Sequence, residues 1–386
     1  MHTKCILCRT TFIQPFLYKY GIRENPWDAL EDDILNRIHS EFCQIKGQEK
    51  ALSKVEEIVC RAVVGLSGLQ HSSASHKPRG IMFLAGPTGV GKTETAKALS
   101  RAIFNDENAC IRFDMSEYRE AHSDQKLFGA PPGYIGYEGG GRLTNEVRKR
   151  PFCILLFDEI EKASPTIMDK FLQILEDGRM TDNQGNTVYF KETIIIFTSN
   201  VGLTKLEYDE YGRPMLDESG TPRRVPTVTI KDPTVADSED FRQEVESRLF
   251  NGVKNYFTSN GRPELLNRLG EDNIVVFQFI DVEVAEAICE SKLKMICSDI
   301  SKQKGVNLHY SEILPALKKM AVKERANGGR GVGNMLEREL LNPLAKYLET
   351  IRNAISYPVD MGCRLDESGK VCFEVIHNED TSSYNS

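Results

Sequence analysis

The sequence predicts an α/β fold: a five-stranded parallel sheet wrapped by helices, followed by a smaller, mostly helical subdomain. Three observations carry that expectation. Short apolar runs recur near Ile81, Cys110, Cys153, Thr193 and Asn273, with helical spacing between most of them. The first run, Ile81-Met82-Phe83-Leu84-Ala85, passes directly into a glycine-rich loop and then into TETAKALSRAIF, which is strand, loop and helix in order. Beyond Asp281 the apolar runs give way to helical periodicity.

The elements follow from the amino terminus. Residues 1–40 read as a short leader in which PWDALEDDILNRIHSE holds one candidate helix. From Gln44 the chain reads QIKGQ, a turn, and then an amphipathic helix with Ala51, Val55, Ile58 and Ala62 on one face. A polar linker, HSSASHKPRG, separates it from the first strand. Residues 41–280 form the larger αβα subdomain and 281–376 the smaller one, with its helices in VEVAEAICESKLKMICSDISKQKG, ILPALKKMAVKERA and NMLERELLNPLAKYLETIRNAI and a small hairpin in RLDESGKVCFEVI. Residues 377–386 are a polar tail. One long stretch, residues 204–240, is rich in Pro, Gly, Asp and Glu and lacks a helical period. Three readings stay open for it: disorder, partner docking, or a hairpin that makes subunit contacts.

The chemistry begins at residues 86–93, Gly86-Pro87-Thr88-Gly89-Val90-Gly91-Lys92-Thr93. Glycines at these positions let backbone amides turn inward as a cradle for phosphate oxygens, where larger side chains would block them. Lys92 is expected to meet the β and γ phosphates of ATP, and the Thr93 hydroxyl to ligate Mg²⁺. A second buried run, CILLF, ends in Asp158 and Glu159, at the strand end where open α/β sheets bind ligands. Asp158 is expected in the Mg²⁺ shell, and Glu159 to orient and deprotonate the attacking water. Phosphoryl transfer also needs a polar group near the γ phosphate and a cation for the transition-state charge. TIIIFTSN supplies Asn200, and GRPELLNR supplies arginines.

Composition sets outer bounds. At 386 residues the chain has room for two or three domains. The formal charge of −7 and the lack of any basic block weigh against duplex nucleic acid as the main partner. No apolar run approaches the roughly 18–20 residues of a membrane span, and no secretory signal is legible, so the expected compartment is the cytoplasm. Of the ten cysteines, Cys60, Cys110, Cys153 and Cys289 fall in expected core elements and read as small reduced hydrophobes. Cys5 and Cys8, with His2 ahead of them, make half of a zinc site; the second ligand pair is missing.

Taken together, DMSEY, GAPPGYIGYEGGGRLT, RPFCILLFDEIEKA, LQILEDGRMTDNQGNTVYF and RPELLNR resemble AAA+ ATPases of the Clp chaperone type, close to the second ATPase ring of ClpB and ClpA. The resemblance covers roughly residues 40–375. It implies an AAA+ P-loop fold with a helical lid, a homo-oligomeric ring of six subunits, ATP between neighbours, and protein clients threaded through the centre. An acidic single-ring module of this kind is expected to depend on a separate adaptor for its clients. Arg268 then corresponds to the arginine finger given to the neighbouring subunit, and Arg330 in NGGRGVGN to the second sensor, with Gly329 where the family has Ala. Ile45 and Lys46 stand in the adenine-binding turn, usually Val-Ile-Gly. Tyr134 and Ile135 of Gly-Tyr-Ile-Gly correspond to the substrate-gripping pore loop, where an aromatic ring between glycines suits any extended polypeptide. Between residues 204 and 267 there is no tripeptide of the kind ClpA and ClpX use to dock the ClpP peptidase. The leading expectation is therefore a protein-remodelling ATPase. The alternatives are a nucleotide-gated scaffold acting through residues 204–240, and a nucleic-acid motor.

Overall fold

The computed structural model describes residues 27, 33–66, 77–120, 122–130, 133, 139–207, 209–211, 213, 215–216, 224–226, 238–352 and 357–376. Contacts divide the chain into two compact units. The first holds residues up to Gly86, Lys92–Thr227 and Glu246–Phe277; the second holds Pro87–Gly91, Val228–Val245 and Gln278 onward.

The first unit is built on a five-stranded sheet: β1 Gly80–Ala85, β2 Cys110–Asp114, β3 Cys153–Asp158, β4 Thr193–Ser199 and β5 Ile274–Val276, in the order β2-β3-β4-β1-β5. All four pairings are parallel. Every residue of β3 and β4 is buried, which is why CILLF and TIIIF are continuous apolar runs with no alternation. Rings lock the centre: Phe157 stands edge-on to Phe171 at 4.6 Å and stacks on Phe113 at 5.3 Å. Helix α1 Lys92–Phe104 follows β1, and α2 Pro165–Asp177, with Pro in its first turn and Gly178 in the left-handed conformation as its stop, follows β3.

The segment read as a leader contributes to this unit. Helix Ile34–Phe42 buries Ile34, Ile38 and Phe42. Trp27 is buried, donates its indole N–H to the Glu192 carbonyl at 3.2 Å, and carries the Arg79 guanidinium over its ring at 5.0 Å. Within residues 204–240, Thr204–Leu206 pairs antiparallel with Arg224–Pro226, and helical structure resumes at Glu239. Cys5, Cys8, His2, Tyr134 and Ile135 lie outside the described residues.

In the second unit, helix Val282–Lys304 starts where the Asp281 carboxylate accepts the Val284 N–H at 2.7 Å and stops at left-handed Gly305. Its buried Cys289 and Leu293 join Leu317, Met335 and Leu340 in one core. The run NMLERELLNPLAKYLETI is not one regular helix. A π turn at Glu337–Leu341 separates Gly328–Leu336 from Asn342–Ile351, because Pro343 has no N–H to continue the regular ladder. The expected hairpin, Val359–Leu365 with Val371–Val375, has a third strand beside it, Val306–His309.

Candidate active site

The glycine-rich loop leaves the carboxyl end of β1, a strand with neighbours on both sides, and α1 begins at Lys92. Two of its glycines are demanded by space. A Cβ on Gly86 would stand 2.6 Å from the Phe277 carbonyl oxygen, inside the first unit. Gly89 has φ +75°, and a Cβ there would stand 2.5 Å from the Asn327 carbonyl oxygen, inside the second. The Gly89 carbonyl also accepts the Gly329 N–H at 2.8 Å. A Cβ on Gly329 would sit 3.4 Å from that carbonyl, so the position takes either Gly or Ala.

Four polar groups converge at the carboxyl ends of β1, β3 and β4. The buried Lys92 ammonium donates to the Gly86 carbonyl at 2.5 Å and to Asn200 Oδ1 at 2.9 Å. The Thr93 hydroxyl donates to Asp158 Oδ2 at 3.4 Å. Asp158 is buried and accepts the Thr198 hydroxyl on Oδ1. Glu159 turns off the strand in the left-handed region at φ +57°, costly for a side chain with a Cβ, and its N–H donates to Thr198 Oγ1 at 3.1 Å. The Glu159 carboxylate pairs with Lys162, one turn on. Thr198 therefore ties both acids to β4 through one hydroxyl.

A second layer of charge flanks these acids. Arg112, on β2, donates from Nη2 and Nε to Asp158 Oδ2 at 2.7 and 2.9 Å. Its Nη2 also reaches Asp114 Oδ2 at 3.2 Å, and Asp114 is the in-register partner of Asp158. Burial pushes the Asp114 carboxyl up. The Ser116 hydroxyl and N–H, with the charges of Arg112 and Lys162, outweigh it and hold the group below its ordinary value. The acids and cations thus alternate: Glu159, Lys162, Asp114, Arg112, Asp158.

The residues fit ATP and Mg²⁺. The loop positions that refuse a Cβ and the ammonium at the start of a helix make a phosphate cradle. Thr93 and Asp158 offer hard oxygens 3.4 Å apart, and a cation, Arg112, already sits on the carboxylate. Mg²⁺ typically takes one or two protein carboxylates and fills its octahedron with phosphate oxygens and water. That is consistent with finding no cluster of three or more His, Cys, Asp or Glu suited to a metal among the described residues.

Arg268 lies in the helix Pro263–Leu269 and pairs with Glu176 of its own α2. Arg330 is exposed in the first turn of Gly328–Leu336, and its N and Cβ are the neighbours that a Cβ on Gly89 would meet at 3.2 Å. Ile45 is buried; Lys46 is exposed, and its ammonium donates back to the Cys43 carbonyl at 2.6 Å. Arg112, Asp114, Lys162 and Thr198 were not singled out from the sequence. The one available signal was that DMSEY, DEIEKA and TSN each carry more polar residues than a strand end needs.

The family described as "AAA domain (Cdc48 subfamily)" matches residues 77–272. The chain is 37% identical over 319 residues to "Chaperone protein ClpB 2" of Nostoc sp., which covers 83% of this chain and 31% of that protein. It is 38% identical over 302 residues to "Chaperone protein ClpB4, mitochondrial" of Arabidopsis thaliana, covering 78% and 28%. With "Chaperone protein ClpB" of Aquifex aeolicus the identity is 37% over 324 residues, covering 83% and 27%. The chain spans about a third of the length of these curated relatives or less.

Proposed function

This chain belongs to the AAA domain family, a family of ATPases, and on that premise we propose that it hydrolyses ATP to remodel other proteins. The observation that carries the proposal is the convergence of Lys92, Thr93, Asp158 and Asn200 where β1, β3 and β4 end, with Glu159 beside them. In this reading the loop Gly86–Pro87–Thr88–Gly89–Val90–Gly91 and Lys92 hold the phosphates, and Thr93 and Asp158 hold Mg²⁺. The metal supplies charge neutralisation on the phosphates when bound. Asn200 and Glu159 orient the attacking water, and Glu159 takes its proton. That step requires Glu159 to leave Lys162, so the ion pair is a resting arrangement of the base. Ile45 and Lys46 flank the base of the nucleotide.

Three further assignments rest on the resemblance to Clp proteins. Arg268 serves the site of a neighbouring subunit in a hexameric ring, exchanging Glu176 for the γ phosphate. Arg330 serves as the second sensor of the nucleotide. Tyr134 and Ile135 grip an extended client in the pore. The names of the relatives support a chaperone role. Reduced, buried Cys153 and Cys289 support work in the cytoplasm, and among the described residues no helix is long and apolar enough to cross a membrane. The test is a substrate trap: Glu159→Gln protein with ATP, compared with Glu159→Gln/Tyr134→Ala. Polypeptides held by the first and lost from the second are threaded clients; an identical set from both refutes threading.

One observation favours a second reading, a nucleotide-gated scaffold. The ladder between Thr204–Leu206 and Arg224–Pro226 carries an ordered turn in which Asp209 accepts the N–H groups of Tyr211 and Arg213. Tyr211 stands 73% exposed at its tip, with Arg213 over its ring. Removal of residues 207–223 abolishes partner binding in a scaffold, whereas a threading motor keeps its ATPase and its ring.

A further inference from the structure

Asp158 is held by a cation from its own chain. Arg112 places two guanidinium nitrogens within 2.9 Å of Oδ2, the same oxygen that faces the Thr93 hydroxyl. A carboxylate oxygen has few open directions, and Thr198 already takes the other oxygen. A divalent cation bound between Thr93 and Asp158 must approach the oxygen that Arg112 occupies. Two positive charges on one oxygen repel, so each occupancy would weaken the other.

The guanidinium has somewhere else to go. Arg112 lines a cavity of about 370 Å³ that it shares with Thr93, Cys110, Glu107 and Glu146. The side chain is 49% exposed, and the cavity's glutamates, Glu107 paired with Lys97 and Arg101 and Glu146 with Lys149, leave negative charge on the side to which the guanidinium can move. Asp114 holds a separate contact to the guanidinium at 3.2 Å.

We propose that Arg112 is a positioning residue that acts as a displaceable counter-ion of Asp158: it holds the carboxylate at the β3 end and yields it to Mg²⁺, thereby raising the Mg²⁺ concentration needed to load the site. The proposal rests on the reading of Asp158 as a metal residue. Its effect is set by a half-exposed ion pair, about 0.2–1 kcal/mol, which converts to about a fivefold change at most.

The experiment measures binding, not turnover. A fluorescent ATP analogue is titrated with Mg²⁺ against the full chain, and the half-saturating Mg²⁺ concentration is read for wild type, Arg112→Gln, Arg112→Lys and Asp158→Asn. Arg112→Gln is expected to lower it by about two- to fivefold, while Arg112→Lys, which keeps the charge, stays nearer to wild type. A half-saturation in Arg112→Gln that is unchanged or higher overturns the proposal. Asp158→Asn tests the underlying reading separately: wild-type Mg²⁺ dependence in that variant refutes Asp158 as the metal residue, whatever Arg112 does. A measurement on the unaltered protein covers the case in which Arg112→Gln does not fold. Phenylglyoxal labelling of Arg112, read by peptide mass spectrometry with the analogue present throughout, is expected to rise when Mg²⁺ replaces EDTA. Equal or lower labelling overturns the proposal.

Discussion

Replacing Thr198 by Val removes one hydroxyl and leaves the shape of the side chain almost unchanged. Thr198 is fully buried in β4, and among the described residues the groups that lose a hydrogen bond to its hydroxyl are Asp158 Oδ1 and the Glu159 N–H. An orphaned buried donor or acceptor costs about 1–3 kcal/mol, more when charged, so the pair predicts a loss of about 2–6 kcal/mol. The N–H lost is also the anchor of a non-glycine residue in the left-handed region, so Glu159 is freed to relax toward an ordinary conformation. Turnover then falls further than nucleotide binding does, because the phosphate cradle is untouched. Urea unfolding gives the stability change, ATP hydrolysis gives kcat, and a fluorescent analogue gives affinity. Thr198→Ser keeps the hydroxyl and is expected to recover kcat while losing only a methyl group. A Thr198→Val protein within about 0.5 kcal/mol of wild type, with kcat intact, would show that the hydroxyl does not organise the two acids.

Other outcomes follow from the same geometry. Gly89→Ala places a Cβ 2.5 Å from the Asn327 carbonyl at φ +75°, and is expected to weaken ATP binding and destabilise the protein by more than the roughly 1–2 kcal/mol of the conformation alone; calorimetry reads both. Burial pushes the Cys110 thiol up to about 12, so at neutral pH iodoacetamide should modify exposed Cys43 and Cys372 well before it. Hydrogen bonds from Lys294 and Lys318 hold the Glu290 carboxyl down from 4.5 to about 2. A depressed acid stabilises fully above its unfolded value and loses that contribution as pH falls through the folded one. Acid unfolding between about 4.5 and about 2 should therefore be shallower in Glu290→Gln, and the difference should shrink in high salt.

The sheet was legible in the sequence because its central strands β3 and β4 are buried on both faces and β1, β3 and β4 run into polar motifs. CILLF and TIIIF have no polar residue to hide, so their apolar runs announce them. The strand Val306–His309 was not legible: VNLH alternates but spans only four residues, and it pairs with Val359–Leu365, more than fifty residues away. The ladder in residues 204–240 was equally hidden, since its two arms are three residues each and the stretch is dominated by turn formers. The candidate site divides in the same way. Residues fixed by backbone chemistry, the glycines, Lys92, Thr93 and the strand-end acids, were readable from their spacing. The counter-ions were not. Arg112 and Asp158 meet because β2 and β3 lie in register, and Arg268 meets Glu176 across 92 residues. Ion pairs of that kind depend on strand order and rotamer, which periodicity does not encode.

The central claim is that Glu159 is the base of an ATP-hydrolysing site. Purified wild-type and Glu159→Gln proteins should bind a fluorescent ATP analogue with similar affinity in the presence of Mg²⁺, while steady-state ATP turnover falls at least about a hundredfold in the variant. Undiminished turnover in Glu159→Gln, with binding intact, would contradict the account.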